Sequence, residues 1–312
     1  MDTALLKLSP KTRRDLNRSL NRAAALSDAG PDAGEALARL ISEARMLEAC
    51  AAQASNGLRL PGRRGTPRVL ALARRVLNGG EAPLTKASLL EALDAEPLTM
   101  AELWAAPQAL RVAITETAAH TARAIVRDAA ARASAQRWIR RALFVPKNPS
   151  PAFCEQALTL CAERGARRPR MLLEGALRRR GTSPDFMVRQ AHAARAHQRL
   201  RLENLSAARR LLDALDWQTV FETLSEADAE LRRDPAGVYP LMDDASRQRV
   251  RDQVAHIARA TRQSERAVAE QAVTAARRVR GLSLNLSCVM QARISTGQRS
   301  ARLYSAQCLR AL

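Results

Sequence analysis

The chain has 312 residues, 46% hydrophobic but only 3% aromatic, with a formal net charge of +20. The apolar fraction is that of globular proteins, and the length suits one large or two ordinary domains. Its uncharged stretches, such as Leu103 to Leu110 and Gly281 to Ala292, fall well short of the ~20 apolar residues that cross a bilayer, which excludes a spanning helix.

Elements read in chain order are helical. Up to about Ser55 the pattern predicts two helices, the first opened by Ser9 as cap with Pro10 at its first position. Gly30-Pro31-Asp32 breaks the chain, and the second helix carries Leu37, Leu40, Ile41, Ala44 and Leu47 on one stripe. Asn56 to Pro67 reads as a Gly/Pro/Arg loop. A short helix follows with Val69, Leu72, Ala73, Val76 and Leu77 inward, stopped by Asn78-Gly79-Gly80.

Thr99 and Glu102 form a capping box for a long helix from about Met100 to Leu143, which Pro107 should kink. Leu103, Trp104, Leu110, Ile114, Ile125 and Ile139 are its inward positions. Prolines 146, 149 and 151 mark a boundary between two helical units. Beyond it lie shorter helices: Ser183-Pro184 caps one, Ser225 and Asp228 suit a helix start or turn, and Asp234-Pro235-Ala236-Gly237 is a turn. Ser264-Glu265 opens a last helix to about Arg280. The tail from Gly281 to Leu312 has no acidic residue and a poor helical stripe, and is expected to be weakly ordered. The predicted fold is therefore all-α, a multi-helix bundle in two packed units. Its expected divisions are 1–55, 56–150, 151–280 and a basic tail over 281–312. Neither a fixed-period repeat nor a sustained heptad is present.

Only four of the 51 basic residues are lysine (Lys7, Lys11, Lys86, Lys147), and the rest are arginine. Two readings of this charge compete. A polyanion partner, nucleic acid or anionic lipid, would need the arginines clustered on one face. A coding bias towards Arg and Ala would spread them over every solvated face, and the sequence shows that spread. Arg63-Arg64 and Arg178-Arg179-Arg180 lack interleaved aromatics and read as solvated helix ends.

Five cysteines (50, 154, 161, 288, 308) in no CxxC spacing suit a reducing compartment. Cys154 and Cys161, two helical turns apart, read as core. Paired carboxylates occur at Asp213/Asp216 and Asp243/Asp244, but Asp216 reads as an N-cap and one of Asp243 and Asp244 as the next. His192 and His197 are five apart, His120 and His256 are isolated, and none has metal spacing. Trp104, Trp138 and Trp217 could stack on sugars but sit amid Leu and Ala as core anchors, and Trp217 with Phe221 reads as one hydrophobic knob. No Walker A, GxGxxG or GxSxG motif occurs. The expectation is no catalytic, cofactor or metal residue.

Two segments carry a resemblance. One is Leu211-Leu212-Asp213-Ala214-Leu215-Asp216-Trp217 with Phe221-Glu222, Leu231-Arg232-Arg233-Asp234-Pro235-Ala236-Gly237-Val238-Tyr239, Met242-Asp243, and later Ser264-Glu265 and Val268-Ala269. The other is Pro97-Leu98-Thr99 with Glu102-Leu103-Trp104-Ala105, Pro107 and Ala109-Leu110-Arg111, weakly extended by Pro67-Arg68-Val69. Together they resemble the N-terminal region of bacterial cyclic β-1,2-glucan synthases over roughly residues 56 to 275. Leu70 departs from the pattern where an aromatic is usual, and Asp244-Ala245-Ser246-Arg247 stands where Phe-Ala-Thr-Arg is usual.

The resemblance implies large inner-membrane enzymes with a UDP-glucose-dependent glycosyltransferase module and a phosphorylase-like module, both following the matched region. Their catalytic residues have no counterparts in this sequence. The change of composition near Gly281 predicts a truncated or frame-shifted remnant, or a gene fragment. The expected function is a non-catalytic, cytosolic helical region that packs against the membrane glycosyltransferase module or places the growing glucan, at the periphery of the inner membrane. Leu211, Leu215, Trp217, Phe221 and Tyr239 are its expected core. The alternative is a basic helical nucleic-acid-binding protein; a glycosidase ranks last.

Overall fold

The structure, a computed structural model, describes residues 3–28, 35–61, 66–78, 82–141 and 144–278. The expected break at Gly30–Asp32, the stop at Gly79-Gly80, Arg63-Arg64, and the tail from 281 with Cys288 and Cys308 lie outside the described residues.

Among the described residues the fold is all-α, as the composition predicts. Thirteen α-helices account for nearly all of it, with one two-stranded ribbon. The helices are α1 (Pro10–Asp28), α2 (Glu35–Ser42), α3 (Ala44–Ala54), α4 (Arg68–Asn78), α5 (Lys86–Asp94), α6 (Met100–Arg141) and α7 (Pro151–Glu163). They continue with α8 (Arg167–Arg178), α9 (Pro184–Ala214), α10 (Trp217–Leu224), α11 (Glu226–Leu231), α12 (Asp244–Thr261) and α13 (Glu265–Arg278).

The ribbon corrects the reading of 56–67 as loop throughout. Strands β1 (Thr3–Leu6) and β2 (Leu58–Pro61) pair antiparallel, with Ala4 opposite Leu60 and Leu6 opposite Leu58. Runs of four residues are too short to show a period of two, and the pairing joins segments more than fifty positions apart. The expected second helix is two, α2 and α3, interrupted at Glu43 alone. Leu37, Leu40 and Leu47 of its stripe are buried.

The described residues form two compact units, one drawn from 3–89 and 105–215 and one from 90–104 and 216–278. Helix α6 contributes its first five residues to the second and the remainder to the first. Its cap is as the sequence predicts: the Thr99 hydroxyl accepts from the Glu102 amide at 3.3 Å, and Glu102 accepts from the Thr99 amide at 3.0 Å.

In the first unit the alanines of α6 let neighbouring helices approach closely. Ala105, Ala109, Ala113, Ala118 and Ala122 are buried with Leu110, Ile114 and Ile125. Gln108 closes the end of α3 by donating its amide to the carbonyls of Gln53, Ala54 and Asn56 at 2.7 to 3.3 Å, acceptors that a helix end leaves open. Arg74 of α4 holds Glu116 of α6 through two bonds of 2.8 Å. A further cluster joins Ala135, Phe153, Cys154, Ala157, Leu173, Leu177 and Met187, with Trp138 edge-on to Phe153 at 5.6 Å. Ser150 and Ser183 cap α7 and α9, accepting from Phe153 and Phe186, with proline at the first position of each.

The second unit packs α10 to α13 around one core. Phe221, Leu231, Tyr239, Val250, Val254, Val268 and Ala272 are buried there with Met100 and Leu103 from the start of α6. No helix among the described residues is long and apolar enough to cross a membrane.

Candidate functional site

The second unit is organised around a buried carboxylate. Ser225 caps α11 by accepting from the Asp228 amide at 3.2 Å. The cap frees the Asp228 side chain to turn inward, where it has no solvent exposure. Its Oδ1 accepts from the Tyr239 hydroxyl at 2.6 Å and from Arg251 Nε at 2.9 Å. Its Oδ2 accepts from Arg232 Nε, one turn on, at 2.8 Å.

Each partner is placed by local chemistry. Tyr239 follows the Asp234-Pro235-Ala236-Gly237 turn, which Asp234 holds by accepting from the amides of Ala236, Val238 and Tyr239 at 3.0 to 3.2 Å. Gly237 adopts a φ of +66°, a conformation that a side chain disfavours. Arg251 lies on the inward face of α12 beside Val250 and Val254, its side chain only 3% exposed. Its guanidinium also covers the Phe221 ring at 4.7 Å, and Phe221 stacks on Trp104. Glu222 completes the network, accepting from Gln218 at 2.6 Å and pairing with Arg232 at 2.7 Å and Arg247 at 3.5 Å.

The electrostatics follow from these contacts. Burial pushes the Asp228 carboxyl up, but the bonds from Tyr239, Arg232 and Arg251 together outweigh it and hold the carboxyl below its ordinary value. Burial, and then the bond to Asp228, push the Tyr239 phenol up. Asp228 is thus a carboxylate with its acceptor sites taken, shielded from water and reluctant to accept a proton. That arrangement fixes α11, the turn and α12 to one another. It suits cohesion and does not suit acid–base chemistry.

Met100, the first residue of α6, donates its amide to Glu265 Oε2 at 2.6 Å. Burial pushes the Glu265 carboxyl up, and the Met100 amide offsets part of that rise.

A second polar cluster lies in the first unit. Glu155 of α7, nearly buried, accepts from Arg195 at 2.5 and 2.6 Å and from His192 Nε2 at 3.0 Å, with Arg132 at 3.8 Å. Burial, then the neighbouring Arg195 charge, lower the Arg132 pKa. Nearby, Gln198 donates to Asp128 at 2.6 Å.

The acids singled out from the sequence have local duties. Asp216 caps α10, accepting from the Gln218 amide at 3.0 Å, and Asp243 caps α12, accepting from the Ser246 amide at 2.7 Å. Asp213 pairs with Arg209, and Asp244 with Arg247. Among the described residues no group of three His, Cys, Asp or Glu is placed to hold a metal ion. Of the expected core, Phe221 and Tyr239 are buried, while Leu211, Leu215 and Trp217 are half-buried. Leu212 and Val220 are buried instead. The ring found stacked on Phe221 is Trp104.

Sequence reading missed Asp228 as an inward ligand and missed Arg251 altogether. A signal existed for the second: Arg251 interrupts the apolar stripe of Val250, Val254, Ile257 and Ala258, where a lone charge needs a buried partner.

Several of the residues that carry the resemblance are assembled here. Leu98, Leu103 and Trp104 from one segment pack with Phe221, Leu231, Tyr239 and Met242 from the other. Glu222, Arg232, Asp234 and Arg247 supply the polar contacts around them. Departing Leu70 is buried in α4.

No known protein-family profile matches the chain. Over 227 residues the sequence is 27% identical to the cyclic beta-(1,2)-glucan synthase NdvB of Rhizobium meliloti, a match covering 66% of this chain and 8% of that protein. The chain therefore spans less than a tenth of the length of the curated relative it matches, and the similarity suggests a distant relationship to a glucan synthase.

Proposed function

We propose that the chain is a non-catalytic helical region of the kind carried by cyclic β-1,2-glucan synthases, acting by packing against a glycosyltransferase module. The similarity to NdvB supports the relationship. The observation that carries the mechanism is the closed interior in which Phe221 and Tyr239 of the resembling segments meet Asp228 and Arg251, with Asp228 saturated by donors. Such a body offers a rigid, arginine-rich exterior to a partner.

Two measurements test the reading. Purified chain incubated with UDP-glucose should form no glucan, and product would refute the non-catalytic part. The chain should also co-purify with a co-expressed membrane glycosyltransferase module from a glucan synthase, and failure to do so would refute the packing role.

A further inference from the structure

Helix α8 has two unlike faces. Leu173 and Leu177 turn inward to join Met187 in a buried cluster. At 100° per residue the opposite face holds Met171, Gly175 and Arg178, with Arg167 and Arg168 one turn before Met171. Met171 is 71% exposed and Leu172 beside it 37%. Gly175 leaves Met171 uncovered, since a Cβ there would meet only the Arg179 guanidinium at 3.7 Å.

These exposed apolar side chains lie within a basic stretch of the chain. Residues 164–189 contain eight arginines against two acids, Glu174 and Asp185. Glu174 is already paired with Arg170 at 2.7 Å. Arginine therefore dominates the charge of this stretch.

We infer that the outward face of α8 docks on an anionic lipid bilayer surface. Arginines on the same helix as exposed Met171 and Leu172 match both layers of that partner. Guanidinium groups pair with lipid phosphates, and the apolar side chains enter the acyl boundary. A nucleic acid would satisfy the arginines alone, since methionine and leucine gain nothing from a phosphodiester backbone and α8 offers no aromatic for bases to stack on. The inference stands on this surface and is independent of any glucan synthase relationship.

Vesicle flotation of the full chain tests it. The chain should float with vesicles of equal parts phosphatidylcholine and phosphatidylglycerol, and not with phosphatidylcholine alone. Met171→Asp should weaken partitioning roughly tenfold by removing the inserted group. Arg167→Ala with Arg168→Ala and Arg178→Ala should do the same by removing charge. The positions are exposed, so both variants should keep the wild-type circular dichroism, and every arginine of 281–312 is retained in each. Met171→Trp should shift tryptophan emission to the blue only on the anionic vesicles. Wild-type partitioning by the Met171→Asp variant, or no blue shift, overturns the inference. So does loss of binding in the arginine variant alone, with displacement of the wild type by a single-stranded oligonucleotide, which would assign the face to nucleic acid.

Discussion

The Trp104 indole lies face to face on the Phe221 ring, with 4.5 Å between centroids and 22° between planes. The two come from segments over a hundred residues apart, and each belongs to a stretch that carries the resemblance. Arg251 covers the Phe221 ring at 4.7 Å and reaches Asp228, so the aromatic pair and the buried carboxylate form one column. The second unit is built around this column.

Breaking the column should be costly in proportion to what is left unpaired. Asp228→Ala strands the Arg251 guanidinium inside the core and should lower stability by about 3 to 5 kcal/mol. Tyr239→Phe removes one donor while leaving both arginines, and should cost about 1 to 3 kcal/mol. Replacing Asp228 by Ala and Arg251 by Met together should recover part of the first loss. Urea midpoints at constant slope measure all three. Equal losses for Asp228→Ala and Tyr239→Phe would contradict the network.

The acid sensitivity has a definite sign. The Asp228 carboxyl is held below its ordinary value, so its contribution is full at neutral pH and is lost as pH falls from about 4 through the folded pKa. Tyr239→Phe removes a bond that holds it low, and should move the acid unfolding midpoint to higher pH. Glu265 acts the other way. Its pKa is raised, so the folded state protonates first and gains stability as pH falls towards the ordinary glutamate range, about 4.3. Glu265→Gln keeps an acceptor for the Met100 amide and should abolish that gain. Urea titrations between neutral and mildly acidic pH separate the two, and an unchanged profile in either variant would count against its assignment.

Two glycines should respond oppositely to alanine. Gly237 sits at a φ of +66° in the turn before Tyr239, where a side chain costs about 1 to 2 kcal/mol. Gly175 is inside α8, where a Cβ would make only an ordinary contact with the Arg179 side chain, so Gly175→Ala should stabilise by about 0.5 to 1 kcal/mol. Thermal melts of the two variants should bracket the wild type, and a stabilising Gly237→Ala would refute the turn geometry.

Cys50, Cys154 and Cys161 are buried, and burial pushes each thiol up, Cys154 to about 11. A raised thiol is mostly protonated at neutral pH, and only the thiolate reacts. Iodoacetamide applied to the native chain should leave these three unlabelled by peptide mass spectrometry, and all three should label in urea. Rapid native labelling of Cys154 would contradict its placement beside Phe153 and Leu173.

The helices and their caps were legible in the sequence because each depends on a few adjacent residues. Ser183 and Asp216 cap as read, the structure decides for Asp243 over Asp244, and Thr99 with Glu102 closes α6 as the spacing foretold. Asp216 was readable as a cap because the residue it serves is two positions on. Only tertiary structure decided which polar residues turn inward. Asp228 and Arg251 are ordinary surface residues by composition, and their pairing closes a span that no local pattern encodes. The ribbon of β1 and β2, the stacking of Trp104 on Phe221, and the exposure of Met171 are likewise products of folding. The physical reason is the same in each case: helix periodicity and capping act over one turn, whereas desolvation and ion pairing act between surfaces that meet only after the chain has packed.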